Sequence, residues 1–140
     1  MGNGFVVETV NVQLRVFDKA TASVLLDEPL SALFGAGSGG DPYVLYDDIA
    51  SRWYVSAFDS DDAGLFLAVS NDSNPLDGFQ VYDLRNNIGG FPDYHKPGYN
   101  KDAIFLAYND FGAGTAQATI VSIDKAAIFD GNAYLLCLGA

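Results

Sequence analysis

The stretch "RWYVSAFD" and, just after it, "LFLAVS" (residues 52–59 and 65–70) constrain the fold more than any other feature of the chain. Read as strands, they point Trp53, Val55 and Ala57 to one side and Tyr54 and Phe58 to the other, while Leu65, Leu67 and Val69 oppose Phe66 and Ala68. A sheet with one face in water alternates apolar with polar residues, so a sheet apolar on both faces must be covered on both. These strands therefore belong to a middle layer. With 140 residues, 49% of them hydrophobic, the chain can build such a layered core within one domain.

The rest of the chain reads alike. Runs rich in β-branched and aromatic residues, at 5–10, 12–17, 24–26, 43–46, 52–58, 65–70, 79–82, 103–108, 118–123 and 133–138, are separated by Gly, Asn, Asp and Pro. That is an all-β pattern. Helical spacing is confined to one or two turns at "EPLSALF" (28–34), "DDIAS" (47–51) and "DKAAIFD" (124–130). Pro42, with a fixed φ and no N–H, marks a strand start or an edge. Asp47 and Asp48 are placed to accept from amides one to three residues onward and so to close a turn before Arg52.

An internal repeat organises these runs. "VFDKATASVLL" (16–26), "AVSNDSNPLDGFQVY" (68–82) and "SIDKAAIFDGNAYLL" (122–136) occupy equivalent places, downstream of "GFVVETVN", "RWYVSAFD" and "DAIFLAYND". The period of about 50 residues is typical of propeller blades. The expected fold is a β-propeller-like stack of about three blade units of four-stranded antiparallel sheet, approximately residues 1–38, 39–90 and 91–140, half of a six-bladed ring. The first unit lacks a leading strand, which the C-terminal "AYLLCL" of this chain or of a partner is expected to supply. Three blades cannot close a ring, and the outer sheets would each leave an apolar face bare. Self-association follows as an expectation, most simply a homodimer with two-fold symmetry, against the alternative that the remaining blades belong to a longer propeller of which this is a piece.

The order Asp41-Pro42, Tyr46-Asp47, Arg52-Trp53, Ala68-Val69-Ser70, Asn74-Pro75, Asp77-Gly78-Phe79, Pro92-Asp93-Tyr94 and the closing Asp124-Lys125-Ala126 resembles the β-propeller repeats of large bacterial secreted and surface proteins. The likeness covers nearly the whole chain and implies a secreted or cell-surface setting if this segment belongs to a longer protein. "SNDSNPLDGF" also distantly resembles the Asp-box turn of sialidase-type propellers. Ser70 and Asp72 fit it, but Asn74 stands where that motif has glycine and Phe79 comes late.

Composition narrows the chemistry. A net charge of −11 repels nucleic acid phosphates and anionic lipid surfaces, so neither nucleic acid nor membrane is expected as a partner. Cys137 is the only cysteine and His95 the only histidine, which leaves no intrachain disulfide and no Cys/His zinc cluster. The opening residues carry Glu8 inside their apolar run and do not read as a signal peptide. "GAGSGG" (35–40) matches Gly-x-Gly-x-x-Gly but precedes a strand, so it reads as a linker and not as a dinucleotide cradle. His95, among prolines and glycine in "FPDYHKPGYN", is expected on an exposed connection.

Three functional readings remain. Asp59, Asp61 and Asp62 in "DSDDAG" offer oxygens to calcium, against the alternative of a solvated hairpin turn. No other cofactor is expected. Tyr43, Arg52, Tyr54, Tyr94 and Tyr99 are the expected ligand-binding residues of a non-enzymatic binding or scaffold module, its ligand a glycan or a protein. The enzymatic alternative is a sialidase-like glycoside hydrolase formed by the assembled propeller, drawing on Asp41, Asp47, Asp93 and Asp102 with Arg15, Arg52 and Arg85. It is short of glutamates: only Glu8 and Glu28 are present.

Overall fold

Strands dominate the computed structural model, which describes residues 1–35, 38–59, 64–88, 90–112, 116–132 and 135–139, with backbone alone at 38–39 and 135–139. Along the chain run β1 (Phe5–Val10), β2 (Gln13–Asp18), β3 (Val24–Pro29), α1 (Leu30–Phe34), β4 (Ser38–Asp47), β5 (Arg52–Asp59), β6 (Gly64–Ser70) and β7 (Phe79–Asp83). There follow β8 (Pro92–Tyr99), β9 (Ala103–Asp110), β10 (Gln117–Asp124), α2 (Lys125–Phe129) and β11 (Leu135–Gly139). They form three antiparallel sheets with strands in chain order: β1-β2-β3, β4-β5-β6-β7 and β8-β9-β10-β11. Each sheet is open.

The β4–β7 sheet is the middle layer that its two apolar faces demand. On one face Trp53, Val55, Ala57, Phe66 and Ala68 pack with Val7, Leu14 and Val16 of the first sheet and with Leu30 and Phe34 of α1. On the other, Tyr54, Leu65, Leu67 and Val69 pack with Ile104, Leu106, Tyr108, Val121 and Ile123 of the third. Trp53, fully buried, donates its indole N–H to the Ser73 carbonyl at 3.1 Å, which satisfies the one polar atom of a large apolar ring.

Local chemistry sets the turns. The Asp47 carboxylate accepts from the amides of Ile49 and Ala50 at 3.0 Å, and Ser51 adopts a left-handed φ of 53°. "DDIAS" is therefore a tight turn and no helix. Asp18 closes the β2–β3 turn through the Ala20 and Thr21 amides, and Asn100 closes β8–β9 through those of Asp102 and Ala103. Asp124 caps α2 by accepting from the Ala127 amide at 2.7 Å.

Two expectations are corrected and a third holds in one of its two forms. Pro42 does not begin its strand, since β4 starts at Ser38, but it does lie on an edge strand, at a register shift where a bulge needs no ladder bond. The C-terminal strand pairs with β10, Ile123 opposite Leu135 and Thr119 opposite Gly139, so within the chain it completes the third sheet and leaves the first with three strands. His95 is fully buried on β8, not exposed on a connection. Of the Gly-rich run, Gly35 ends α1 in the left-handed region at φ 84° and Ser38 opens β4; residues 36 and 37 lie outside the described residues.

Candidate functional site

The leading strands β4 and β8 carry matching irregularities. In β4, Gly40 pairs with Phe58 and Tyr43 with Ser56, so Asp41 and Pro42 together oppose Ala57. In β8, Asp93 pairs with Asn109 and Lys96 with Ala107, so Tyr94 and His95 together oppose Tyr108. Ala57 and Tyr108 are each the sixth residue of their strands, which places both bulges at one level of the two sheets. The first bulged residue is left-handed in each case, Asp41 at φ 45° and Tyr94 at φ 55°. Glycine is the residue that adopts this conformation freely; an L side chain there costs about 1–2 kcal/mol. Bulges and strained φ values of this kind gather at sites where a side chain must be re-aimed.

Both bulges open onto one cleft of about 300 Å³, lined by Thr9, Asn11, Asp41, Pro42, Tyr43 and Tyr94. Asn11 is also left-handed, at φ 52°. β4 lies between β1 and β8 and touches both, which is how residues from the three sheets' leading edges meet. The Asp41 carboxylate is exposed and makes no hydrogen bond or ion pair among the described residues. Tyr94 is 61% exposed. The Lys96 ammonium sits 4.0 Å from the Tyr43 ring centroid and 3.8 Å from that of Tyr94, and it donates to the Tyr43 hydroxyl, a geometry in which ring quadrupoles attract a cation.

Beneath the cleft, His95 Nε2 lies 3.0 Å from Ser56 Oγ, and the Tyr43 ring meets the imidazole edge-on at 5.1 Å. Nδ1 is buried without a hydrogen-bond partner. Burial pushes the imidazole down to about 4, against the upward pull of the Asp41 charge and a backbone hydrogen bond at Ser56, so the ring is neutral at pH 7. Ser56 and His95 are both closed to solvent. The pair anchors the β8 bulge against β5, where no substrate reaches it.

The remaining expected site residues lie elsewhere. Tyr54 is buried, its hydroxyl donating to Asp47 at 2.6 Å. Burial, then the Asp47 carboxylate, raise its pKa. Lys125 forms an ion pair with Asp47, both buried, and also donates to the Asn100 carbonyl. Although burial opposes it, Lys125 and Tyr54 hold the Asp47 carboxyl below the usual carboxylate range. Half-buried Tyr99 stands edge-on to Tyr54 at 6.4 Å and donates to Asp48 at 2.9 Å. Tyr54 and Tyr99 thus belong to a polar strap between the middle and third sheets and offer no open stacking face. Arg52 lies over the Phe129 ring at 5.5 Å.

Asp59 is not free for a cation either. It is fully buried and accepts from Arg85 Nη1 at 2.9 Å, while Arg85 also binds Asp83. Asp61 and Asp62 lie outside the described residues, and among the described residues no group of three or more His, Cys, Asp or Glu is placed to hold a metal ion.

Of the expected residues, then, Tyr43 and Tyr94 come together. Nothing local in the sequence marks Lys96, Thr9 or Asn11. Asp41 reads there only as one of several carboxylates, and the glycines before it are the one hint of unusual backbone. Comparison with protein-family models, curated proteins and solved structures gives no match for the chain.

Proposed function

We propose that the chain is a non-enzymatic binding module of β-propeller type, whose cleft on the leading strands takes a saccharide and whose three sheets form half of a six-bladed ring completed by a second copy. The observation that carries the binding reading is the pair of strained bulges delivering Asp41 and Tyr94 into one cleft. An exposed ring for stacking beside short carboxylate, amide and hydroxyl side chains is the chemistry that a sugar's apolar face and hydroxyls require. In a propeller the same strands would line the central channel.

The outer faces support assembly. In the first sheet Val6, Phe17 and Val24 are register neighbours that alternate with core residues, and Val24 is 56% exposed. In the third, half-buried Phe105 and Ala107 lie beside Ile120, which is 45% exposed. Two copies related by a two-fold axis would lay each third sheet on the partner's first sheet and cover both faces at once.

Hydrolysis has less support. The chain's three arginines do not converge: Arg15 pairs with Asp27, Arg85 with Asp59 and Asp83, and Arg52 stacks on Phe129. A sialidase-like carboxylate clamp needs them together.

Sedimentation velocity and a glycan array test the two halves of the reading. A concentration-dependent dimer that Ile120→Lys or Val24→Glu converts to monomer is expected, with array signals lost in Tyr94→Ala. A monomer at all concentrations defeats the ring, a silent array defeats saccharide binding, and turnover of an aryl sialoside replaces the module with a hydrolase.

A further inference from the structure

We infer that the saccharide accepted by the cleft carries free amino groups, as an oligomer of unacetylated hexosamine does. This rests on the saccharide-binding reading above and deepens it. The argument begins with charge. Asp41 is an exposed carboxylate without a partner among the described residues, held in the left-handed region on the wall of the cleft. Strained backbone gathers at ligand sites, and a carboxylate presented there without a partner is placed to pair with a cation.

The neighbouring rings favour the same sign. Tyr43 and Tyr94 already hold an ammonium, that of Lys96, at 4.0 and 3.8 Å from their centroids, so their π faces are oriented toward positive charge. Lys96 is exposed, but its ammonium is engaged by the two rings and the Tyr43 hydroxyl, whereas Asp41 has no hydrogen-bond or ion-pair partner among the described residues. The wider field agrees, because 18 acidic against 7 basic residues draw cations toward the molecule and repel anions. An acidic sugar would bring its carboxylate up against Asp41; each arginine is engaged away from the cleft, and the one cation beside it, Lys96, is already engaged by two rings and a hydroxyl.

The remaining lining fits a sugar ring rather than a bare amine. Thr9 and Asn11 add a hydroxyl and an amide on the β1 side, groups that exchange hydrogen bonds with ring hydroxyls in either direction. The exposed Tyr94 ring supplies the stacking surface. At about 300 Å³ the cleft stands at the small end of ligand sites, room for a unit or two of an oligomer whose ends continue into solvent.

Calorimetric titration of the intact chain with a glucosamine tetramer, its N-acetylated counterpart and a neutral glucose tetramer tests this. The free-amine oligomer is expected to bind at least about tenfold more tightly than the other two, with the margin shrinking as salt rises. Asp41→Asn is expected to bring the three affinities within about twofold of one another with an unchanged melting temperature, while Tyr94→Ala weakens all three. If the acetylated or neutral oligomer binds as tightly as the free amine, or if Asp41→Asn leaves the preference intact, the amine inference falls and saccharide binding stands. If none of the three binds while the array shows other glycans, the amine inference alone fails. If the array too is silent, both fail.

Discussion

Between pH 6.5 and about 4, acid should destabilise this protein through His95. His95 is neutral in the fold, with a pKa pushed by burial to about 4, whereas its ordinary value is 6.5. Below pH 6.5 the unfolded chain takes up a proton that the folded chain refuses, so stability is complete above 6.5 and is lost as pH falls toward 4. At about 1.4 kcal/mol per pH unit the interval bounds the loss at about 3 kcal/mol, most of it gone by pH 4.5. Aspartates titrate nearby, so the measurement is a difference. Urea unfolding of the parent and of His95→Gln, which keeps a hydrogen-bonding group toward Ser56, is followed from pH 7.5 to 4.5. The parent should lose about 2–3 kcal/mol more than the variant across that range. Because His95 is the only histidine, a single imidazole NMR signal also reports its titration directly. Equal slopes for the two proteins, or an imidazole that titrates near 6.5 in the folded state, would refute the reasoning.

Lys125→Met should destabilise by about 3–5 kcal/mol, since it leaves Asp47 charged and buried, and Asp47→Asn added to it should restore much of the loss in urea melts. The Asp47 carboxyl is held below its usual range, so this pair's stability is present above that range and disappears only as pH falls through the lowered folded value. Asp124→Ala removes the α2 cap and should lower unfolding free energy by about 1 kcal/mol; a loss near zero would mean the turn holds without it. Tyr94→Gly relieves a left-handed φ of 55°, so thermal stability should hold or rise by up to about 1 kcal/mol while saccharide binding is lost. A marked drop in melting temperature would show the ring to be structural.

Much of the architecture was legible in residues 52–70, where side chains alternate between two apolar faces. Turn positions were equally plain at Asp47, whose carboxylate acts on amides two and three residues away. The α1 and α2 turns are legible too, whereas "DDIAS" offers both a short helix and a turn, because Asp47 can cap either, and the structure takes the turn. The site was far less visible. Tyr43 and Tyr94 stand out as aromatics at blade ends, but so do Tyr54 and Tyr99, and sequence alone does not separate an exposed ring from one whose hydroxyl reaches a carboxylate.

What the chain's own order determined is local: period-two alternation, apolar on both faces, and side chains that close turns within three residues. These depend on neighbours along the backbone and survive any choice of strand partner. Register decided the rest. The bulges at Asp41 and Tyr94 and the place of β11 beside β10 are set by how neighbouring strands align, and the burial of His95 against Ser56 and the Asp47–Lys125 pair arise where elements distant in sequence meet. Moving a pairing by one residue would send each of those side chains to the opposite face, and no short stretch of sequence encodes that alignment.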